Sequence, residues 1–297
     1  MKKLYFFVLI LIFTGFSSAQ IGDKLTQLPP SEIQKYATPL ATWSGTYFNS
    51  GGYYTASVAK TFGFKFSLIG MMIFIPEDQL TFNVQPYPEY TGTETSATFF
   101  GKEGAAIPGP EEYIIYPPGI NMTSIPAGIP QIGFSFIGIE AMLRYFPKLD
   151  LDDVEVNLLG WGLKYNFSQL IPGLPLDIAA QILFNNFGAK YITDDITNVE
   201  IETSNFAFNI HASKAFGNFI VYGGLQYETT TMDMKYTFDG LGFPGITPGD
   251  QQNVSMDGDN SMRLTVGAAF RVAVLVLNAD FSLGSQNALV AGINFEF

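Results

Sequence analysis

Cysteine is absent from the 297 residues, histidine occurs once, and charged side chains make up only 14% of the chain. Without cysteine no disulfide can staple the fold, no thiolate cluster can hold a transition metal, and no N-terminal cysteine can carry a lipid. Anchoring therefore has to come from the fold itself. The charge content lies well below the roughly 25% of an average soluble domain. Long apolar runs are missing as well: the longest covers residues 4–13, short of the roughly 20 residues that a spanning helix needs. Basic residues are the minority, 15 against 27 acidic ones, for a formal charge of −12. That balance argues against nucleic acid or anionic headgroups as partners. No glycine loop stands ahead of a helix to cradle phosphate, and no cofactor is expected.

The apolar run follows Lys2 and Lys3 and precedes Ser17, Ser18 and Ala19, the pattern of a secretory signal peptide cleaved after Ala19. A membrane-anchoring helix is the alternative, and the short run with its small, polar far flank speaks against it. Cleavage removes two lysines and takes the formal charge from −12 to −14. The expected division is a signal peptide over 1–19, an N-terminal periplasmic or plug segment over 20–58, and a barrel over 59–297.

What the chain does contain is apolar residues at every second position. With 47% hydrophobic residues, 28 Phe and 30 Gly, it is rich in apolar side chains that are not gathered into helical spans. The last strand, residues 287–297, sets Leu289, Ala291, Ile293, Phe295 and Phe297 on one face and Ala288, Val290, Gly292, Asn294 and Glu296 on the other. Leu159, Trp161, Leu163, Tyr165 and Phe167 likewise oppose Gly160, Gly162, Lys164 and Asn166. Further alternating stretches run through 62–74, 131–146, 176–185, 205–213, 221–227, 261–270 and 273–283. Such segments joined by turns predict an all-β, transmembrane, antiparallel up-and-down barrel of about 12 strands. Counts of 10 or 14 stay open, because residues 85–130 hold eight of the 17 prolines. A return strand is expected at 80–84, short strands at 95–100 and 112–116, and outer loops at 189–204 and 239–260.

The face opposite the lipid is the candidate lumen: Lys65, Glu140, Arg144, Lys164, Asn166, Asp177, Gln181, Asn209, His211, Arg263, Asn278 and Asp280. Glu140 and Arg144 share that face four residues apart, as an inward ion pair or as an ordinary solvated pair near the rim. Residues 31–36 look like a capped helical turn, and Asn49, Gly51, Gly52 and Tyr53 form a small-residue reversal after it. Ile69, Met71 and Ile73 make the inward face of the first strand apolar, so a plug could pack there.

The terminal strand resembles that of bacterial outer-membrane β-barrels, which ends in Phe and is read by the assembly machinery; Phe295 and Phe297 would carry the signal. The N-terminal segment is similar in position to the plug of the long-chain fatty-acid transporters of the outer membrane, with a loose periplasmic leader as the alternative. The mature chain also resembles an uncharacterised outer-membrane family of Bacteroidetes-type bacteria, through residues 49–56, 143–147, 162–166 and 277–282. These resemblances imply export to the outer membrane of a Gram-negative cell. The implied partners are its lipids, the barrel assembly machinery and a small hydrophobic solute.

The chemistry of a catalytic site is sparse. His211 and Ser213 share a face with Asn209, which resembles the pair of the outer-membrane phospholipase, but Lys214 and Ala215 replace the Asn-Gly that follows its serine. Residues 257–260 offer oxygens for Ca²⁺, but the run is too short and lacks the spaced ligands and closing Glu of a calcium loop, and it reads as an acidic solvated turn. The expectation is no enzyme and no metal, but a channel or transporter for small hydrophobic solutes. A structural or surface-interaction barrel is the alternative, and an outer-membrane lipase a weaker one.

Overall fold

The computed structural model describes residues 28–87, 89–109, 113–151, 154–171, 173–193, 196–237 and 249–297. The expected signal peptide and residues 20–27 lie outside the described residues. Period-two alternation yields the barrel strands β1 (Gly63–Phe74), β6 (Ser124–Phe136), β7 (Ile139–Leu151), β8 (Val154–Asn166), β9 (Asp177–Thr193), β10 (Ile196–Phe216), β11 (Phe219–Thr237), β13 (Met262–Val272), β14 (Leu275–Leu283) and β15 (Asn287–Glu296). Each pairs antiparallel with its neighbours, and β15 closes on β1, from Lys65↔Glu296 to Phe74↔Asn287. Ten strands therefore close the barrel, the lower end of the expected range. An additional strand, β12 (Gln251–Asp257), pairs with the far half of β11 while β13 pairs with its near half. The two act as one strand broken at residues 258–261.

The two longest connections, 75–123 and 238–250, lie at one end of the barrel, here the long-loop end, although only two residues separate β7 from β8 and β9 from β10 there. The other, short-turn end holds the ten-residue connection 167–176 beside its tight turns. At the short-turn end, Ile137, Gly138, Gly217 and Ala273 adopt positive φ in tight reversals. The chain terminus lies there too, where Phe64 and Phe297 exchange backbone hydrogen bonds. The long-loop end carries a cap, residues 75–123, built from two small sheets: β2 (Thr81–Asn83) with β3 (Thr95–Ala97), and β4 (Ala106–Pro108) with β5 (Tyr113–Ile115). The expected return strand at 80–84 is thus a piece of this cap, and the return barrel strand is β6. Leu80 and Val84 turn toward the apolar interior of the cap rather than toward lipid. Nor is 189–204 a loop, since β9 and β10 pair there from Ile196↔Thr193 onward.

The outer surface records where the bilayer sits. On β11, Phe219, Val221, Leu225 and Tyr227 face out and are followed on the same face by Thr229, Thr231, Asp233 and Lys235. The switch marks an apolar belt about 20–25 Å tall once strand tilt is allowed for. Trp161, Phe184 and Phe206 form an aromatic row across β8, β9 and β10 at its upper edge, with ring centroids 4.6 and 4.9 Å apart. Beyond the belt, β9 to β12 rise as a wall that is polar outside and apolar inside. No helix among the described residues is long and apolar enough to cross a membrane.

Inside stands one helix, α1 (Pro30–Asn49). The sequence pattern marks only a turn at 31–36, because Pro39 interrupts the signal and the flanking residues are apolar on most sides. Burial against the wall extends the helix to 20 residues. Leu28, at its start, is met by the Tyr236 hydroxyl of β11 at the long-loop end, 3.0 Å away. From there α1 descends, and residues 50–58 continue to the short-turn end, where Gly138 donates to the Ala59 carbonyl.

Candidate functional site: the plug and its latch

Two different chemistries hold the plug. Around the upper half of α1, Tyr36, Ala37, Leu40, Trp43, Tyr47 and Phe48 pack against Ile69, Met71, Ile73, Ile201, Met232, Met234 and Met256 of the wall and Phe99 and Phe100 of the cap. Glu32 pins the cap. Its carboxylate accepts from Lys35 at 2.8 Å, from the Gln85 backbone at 3.0 Å and from the Tyr116 hydroxyl at 2.8 Å. Burial, and then the bond to Glu32, raise the Tyr116 hydroxyl above its ordinary pKa, so it stays a donor. Pro39 cannot donate within the helix, and the loosened turn is used: Phe99 donates to the Tyr36 carbonyl at 3.0 Å. The Gln286 amide does the same to the Pro39 carbonyl, also at 3.0 Å.

Below, the plug's backbone is gripped by polar wall side chains. The last four carbonyls of a helix lack intrahelical donors. Here Ser50 serves those of Thr46 and Tyr47. The wall serves the other two: Arg144 Nη1 and Asn185 reach the Phe48 carbonyl at 2.6 and 3.0 Å, and Gln226 reaches that of Asn49 at 3.2 Å. Arg144 Nη2 also donates to the Ser50 carbonyl at 2.9 Å, Gln181 to that of Gly52 at 3.1 Å and Lys164 to that of Thr55 at 3.3 Å. Cations at the negative end of the helix dipole add to the hold. Gly51, at φ 68°, lets the chain reverse there, with its α-carbon against Ile69.

Every candidate lumen residue lies on the inward face. Lys65, Glu140, Arg144, Lys164, Asn166, Gln181, Asn209, His211, Arg263 and Asp280 are buried. Asp177 and Asn278 are half-buried, with Asp177 at the rim accepting from Asn166 at 3.1 Å. Neither reading of Glu140 and Arg144 holds: both are buried, so they are not a solvated rim pair, and they do not pair with each other. Four residues along a strand span about 13 Å, whereas a cross-strand neighbour is about 5 Å away. Glu140 accordingly pairs with Lys164, its register partner on β8, at 3.0 Å and with Lys65 of β1 at 2.9 Å. A second buried pair joins Arg263 to Glu228 at 2.7 Å. Sequence reasoning misses Gln226 and Glu228, although both alternate with Leu225 and Tyr227, so the same parity would have found them.

Tyr53 stacks on the single histidine, His211, at 3.9 Å, and the His211 Nδ1 contacts Asn209 at 2.8 Å. Ser213 Oγ is engaged by the plug: Ala56 N donates to it at 2.9 Å, and it shares a hydrogen bond with Thr55 Oγ1 at 3.1 Å. No hydrogen bond among the described residues joins His211 to Ser213. The run 257–260 lies at the break between β12 and β13, with Asp257 and Asp259 exposed, as expected of an acidic turn, and Asn260 buried against the plug. The Asp259 N–H donates to Thr42 Oγ1 of the plug at 3.0 Å, and the Asn260 amide donates to Thr46 Oγ1 at 3.2 Å. Among the described residues no three acidic or imidazole groups gather to hold a metal.

A family profile described as a family of unknown function (DUF6588) matches residues 1–297. No curated protein matches the chain. Solved barrels resemble it faintly. The translocator domain of autotransporter NalP from Neisseria meningitidis is 10% identical, covering 95% of this chain and 99% of that one, at a TM-score of 0.38. The attachment invasion locus protein Ail of Yersinia pestis is 7% identical over 80% of this chain and 100% of its own, at 0.30. The Ralstonia pickettii toluene transporter TbuX is 10% identical over 92% and 98%, at 0.26. Similarity at this level carries nothing about activity to this chain.

Proposed function

The chain belongs to that family of unknown function over its whole length, and on this premise we propose, from its own residues, an outer-membrane barrel that passes small hydrophobic solutes when its plug shifts. The signal peptide supports export. The apolar belt and the placing of the two longest connections, 75–123 and 238–250, at one end support an outer-membrane orientation, with the cap outside and the chain terminus in the periplasm. The terminal strand with Phe295 and Phe297 is the expected contact for the assembly machinery, and outer-membrane lipids are the partners of the belt.

One observation carries the transport reading. The upper lumen is greasy on both surfaces, wall and plug, whereas a pore for water-soluble molecules would be polar there. The plug meets the wall through side chains and no strand ladder, so it can yield without opening the barrel. The likeness to long-chain fatty-acid transporters implies the same use of an N-terminal plug. A barrel lacking residues 21–54 is expected to leak small solutes from liposomes while the intact chain stays nearly closed. Equal tightness of the two would retire the reading. The structural or surface-interaction barrel would then stand in its place, favoured by the cap and by the tall wall of β9 to β12.

A further inference from the structure

From the upper edge of the apolar belt outward, strand register sets the outer face of β8, β9 and β10 out as a lattice of side chains. Four successive rows cross the three strands: Trp161, Phe184 and Phe206; then Leu159, Asn186 and Ser204; then Asn157, Gly188 and Glu202; then Glu155, Lys190 and Glu200. Gly188 is the one position of this lattice without a side chain, and it stands between Asn157 and Glu202. A depression of about 260 Å³ opens there, bounded by Asn157, Asn186, Lys190, Glu202 and Ser204 with Gly188 as its floor. Glycine weakens a strand interior, and it admits the close approach of a ligand to the backbone.

The cup offers donors and acceptors side by side. A β-carbon at Gly188 would meet Asn157 Nδ2 at 2.8 Å, so that amide leans over the floor. The Ser204 hydroxyl donates to Asn186 Oδ1 at 3.1 Å, which leaves the Asn186 NH₂ to donate elsewhere. Glu202 is exposed, with Lys235 Nζ at 4.0 Å as its ion-pair partner, whereas Lys190 is taken by Glu200 at 2.7 Å. An ammonium group only donates and a phosphate chiefly accepts, but a hydroxyl does both. Two carboxylates against one paired lysine also disfavour a phosphate. Height narrows the ligand further. Gly188 follows Phe184 by four residues, about 13 Å along the strand, or about 10 Å above the aromatic row once strand tilt is allowed for. The polar layer of a phospholipid leaflet is only about 5–8 Å deep. The cup thus stands level with a headgroup taller than a phosphate ester.

We infer that this cup binds the uncharged sugar headgroup of a glycolipid in the leaflet on the cap side, whose acyl chains lie along the belt below. The sugar hydroxyls meet Asn157, Asn186 and Glu202, and the bare backbone at Gly188 gives the ring room to lie against the strand. The chains run down past Leu159 and Trp161, both of which face the lipid. The site rests on the placing of the belt and is independent of the transport reading.

The chain has two tryptophans, so Trp43→Phe leaves Trp161, 41% exposed on the lipid side, as the sole emitter. This variant is placed in phosphatidylcholine nanodiscs that carry a rising fraction of one lipid with bromine at mid-chain, which quenches the tryptophan it touches. Three brominated lipids are compared: glucosyl-diacylglycerol, phosphatidylcholine and phosphatidylglycerol. The glucolipid is expected to reach half-maximal quenching at a mole fraction roughly threefold to tenfold below the other two, the effect of one net hydrogen bond. Gly188→Val should bring the three curves together. Its β-carbon displaces only the end of the exposed Asn157 side chain, so the barrel still folds, as heat-modifiable migration on a gel will show. Asn157→Ala with Glu202→Ala removes polar partners without filling the cup and should reduce the same preference. Equal quenching by the three lipids, or a preference for phosphatidylglycerol, would overturn the site. So would a glucolipid preference that survives Gly188→Val, or that survives the double variant should Gly188→Val fail to fold.

Discussion

Arg144→Met tests whether the lower half of the plug is a latch. The guanidinium is fully buried and has no carboxylate partner among the described residues; it donates to the Phe48 and Ser50 carbonyls at 2.6 and 2.9 Å. Hydrogen bonds to a charged group contribute about 1.5–3 kcal/mol each. Asn185 would still serve the Phe48 carbonyl, and removing a buried cation recovers part of its desolvation cost. The net loss of plug docking is therefore about 2–4 kcal/mol, which raises the undocked population roughly 30- to 1,000-fold. Planar-bilayer recording reads this as the frequency of opening events, and heat-modifiable migration on a gel checks that the barrel has folded. Arg144→Lys should restore only part of the closure, because an ammonium cannot span both carbonyls in a fixed fork. A folded Arg144→Met barrel that opens no more often than the parent would refute the latch.

Leu163→Arg places a charge in the apolar belt at a cost of about 2–4 kcal/mol and should reduce the heat-modifiable fraction, whereas Thr229→Arg, on the outer face of β11 above the belt, should leave folding less affected; equal losses would refute the placing of the belt. Deleting residues 295–297 removes the pairing of Phe295 and Glu296 with β1 and the exchange between Phe297 and Phe64, so no folded barrel should reach the membrane. Normal levels of folded protein from the truncated chain would count against that role. Gly45→Leu should expel the plug and leave the barrel intact, since a side chain there collides with Thr230 and Asn260; unchanged protection of residues 28–58 from protease would contradict this.

Much of this protein follows from sequence because strand parity is a local property. Side chains alternate across a strand whatever lies beyond it, so Leu163 out and Lys164 in can be read from ten residues, as can the terminal strand from Asn287 to Glu296. Parity does not supply distance. It puts Glu140 and Arg144 on one face and cannot show that Lys164 and Lys65 come nearer, because those neighbours are set by register between strands that the chain order separates. The same holds for strand number: the prolines of residues 85–130 are divided by the fold between a cap and β6, and only the β1–β6 ladder shows that Pro126 and Pro130 belong to the wall. The helix of the plug is a tertiary product, since Pro39 and the short polar pattern favour a turn, and burial of 15 of its residues, including all from Pro39 to Asn49, sustains 20 residues. The sequence by itself determines that a barrel with one greasy and one polar face must form. The tertiary structure alone decides how the lower half of the plug is latched, because that grip falls on backbone carbonyls, which every residue type offers alike.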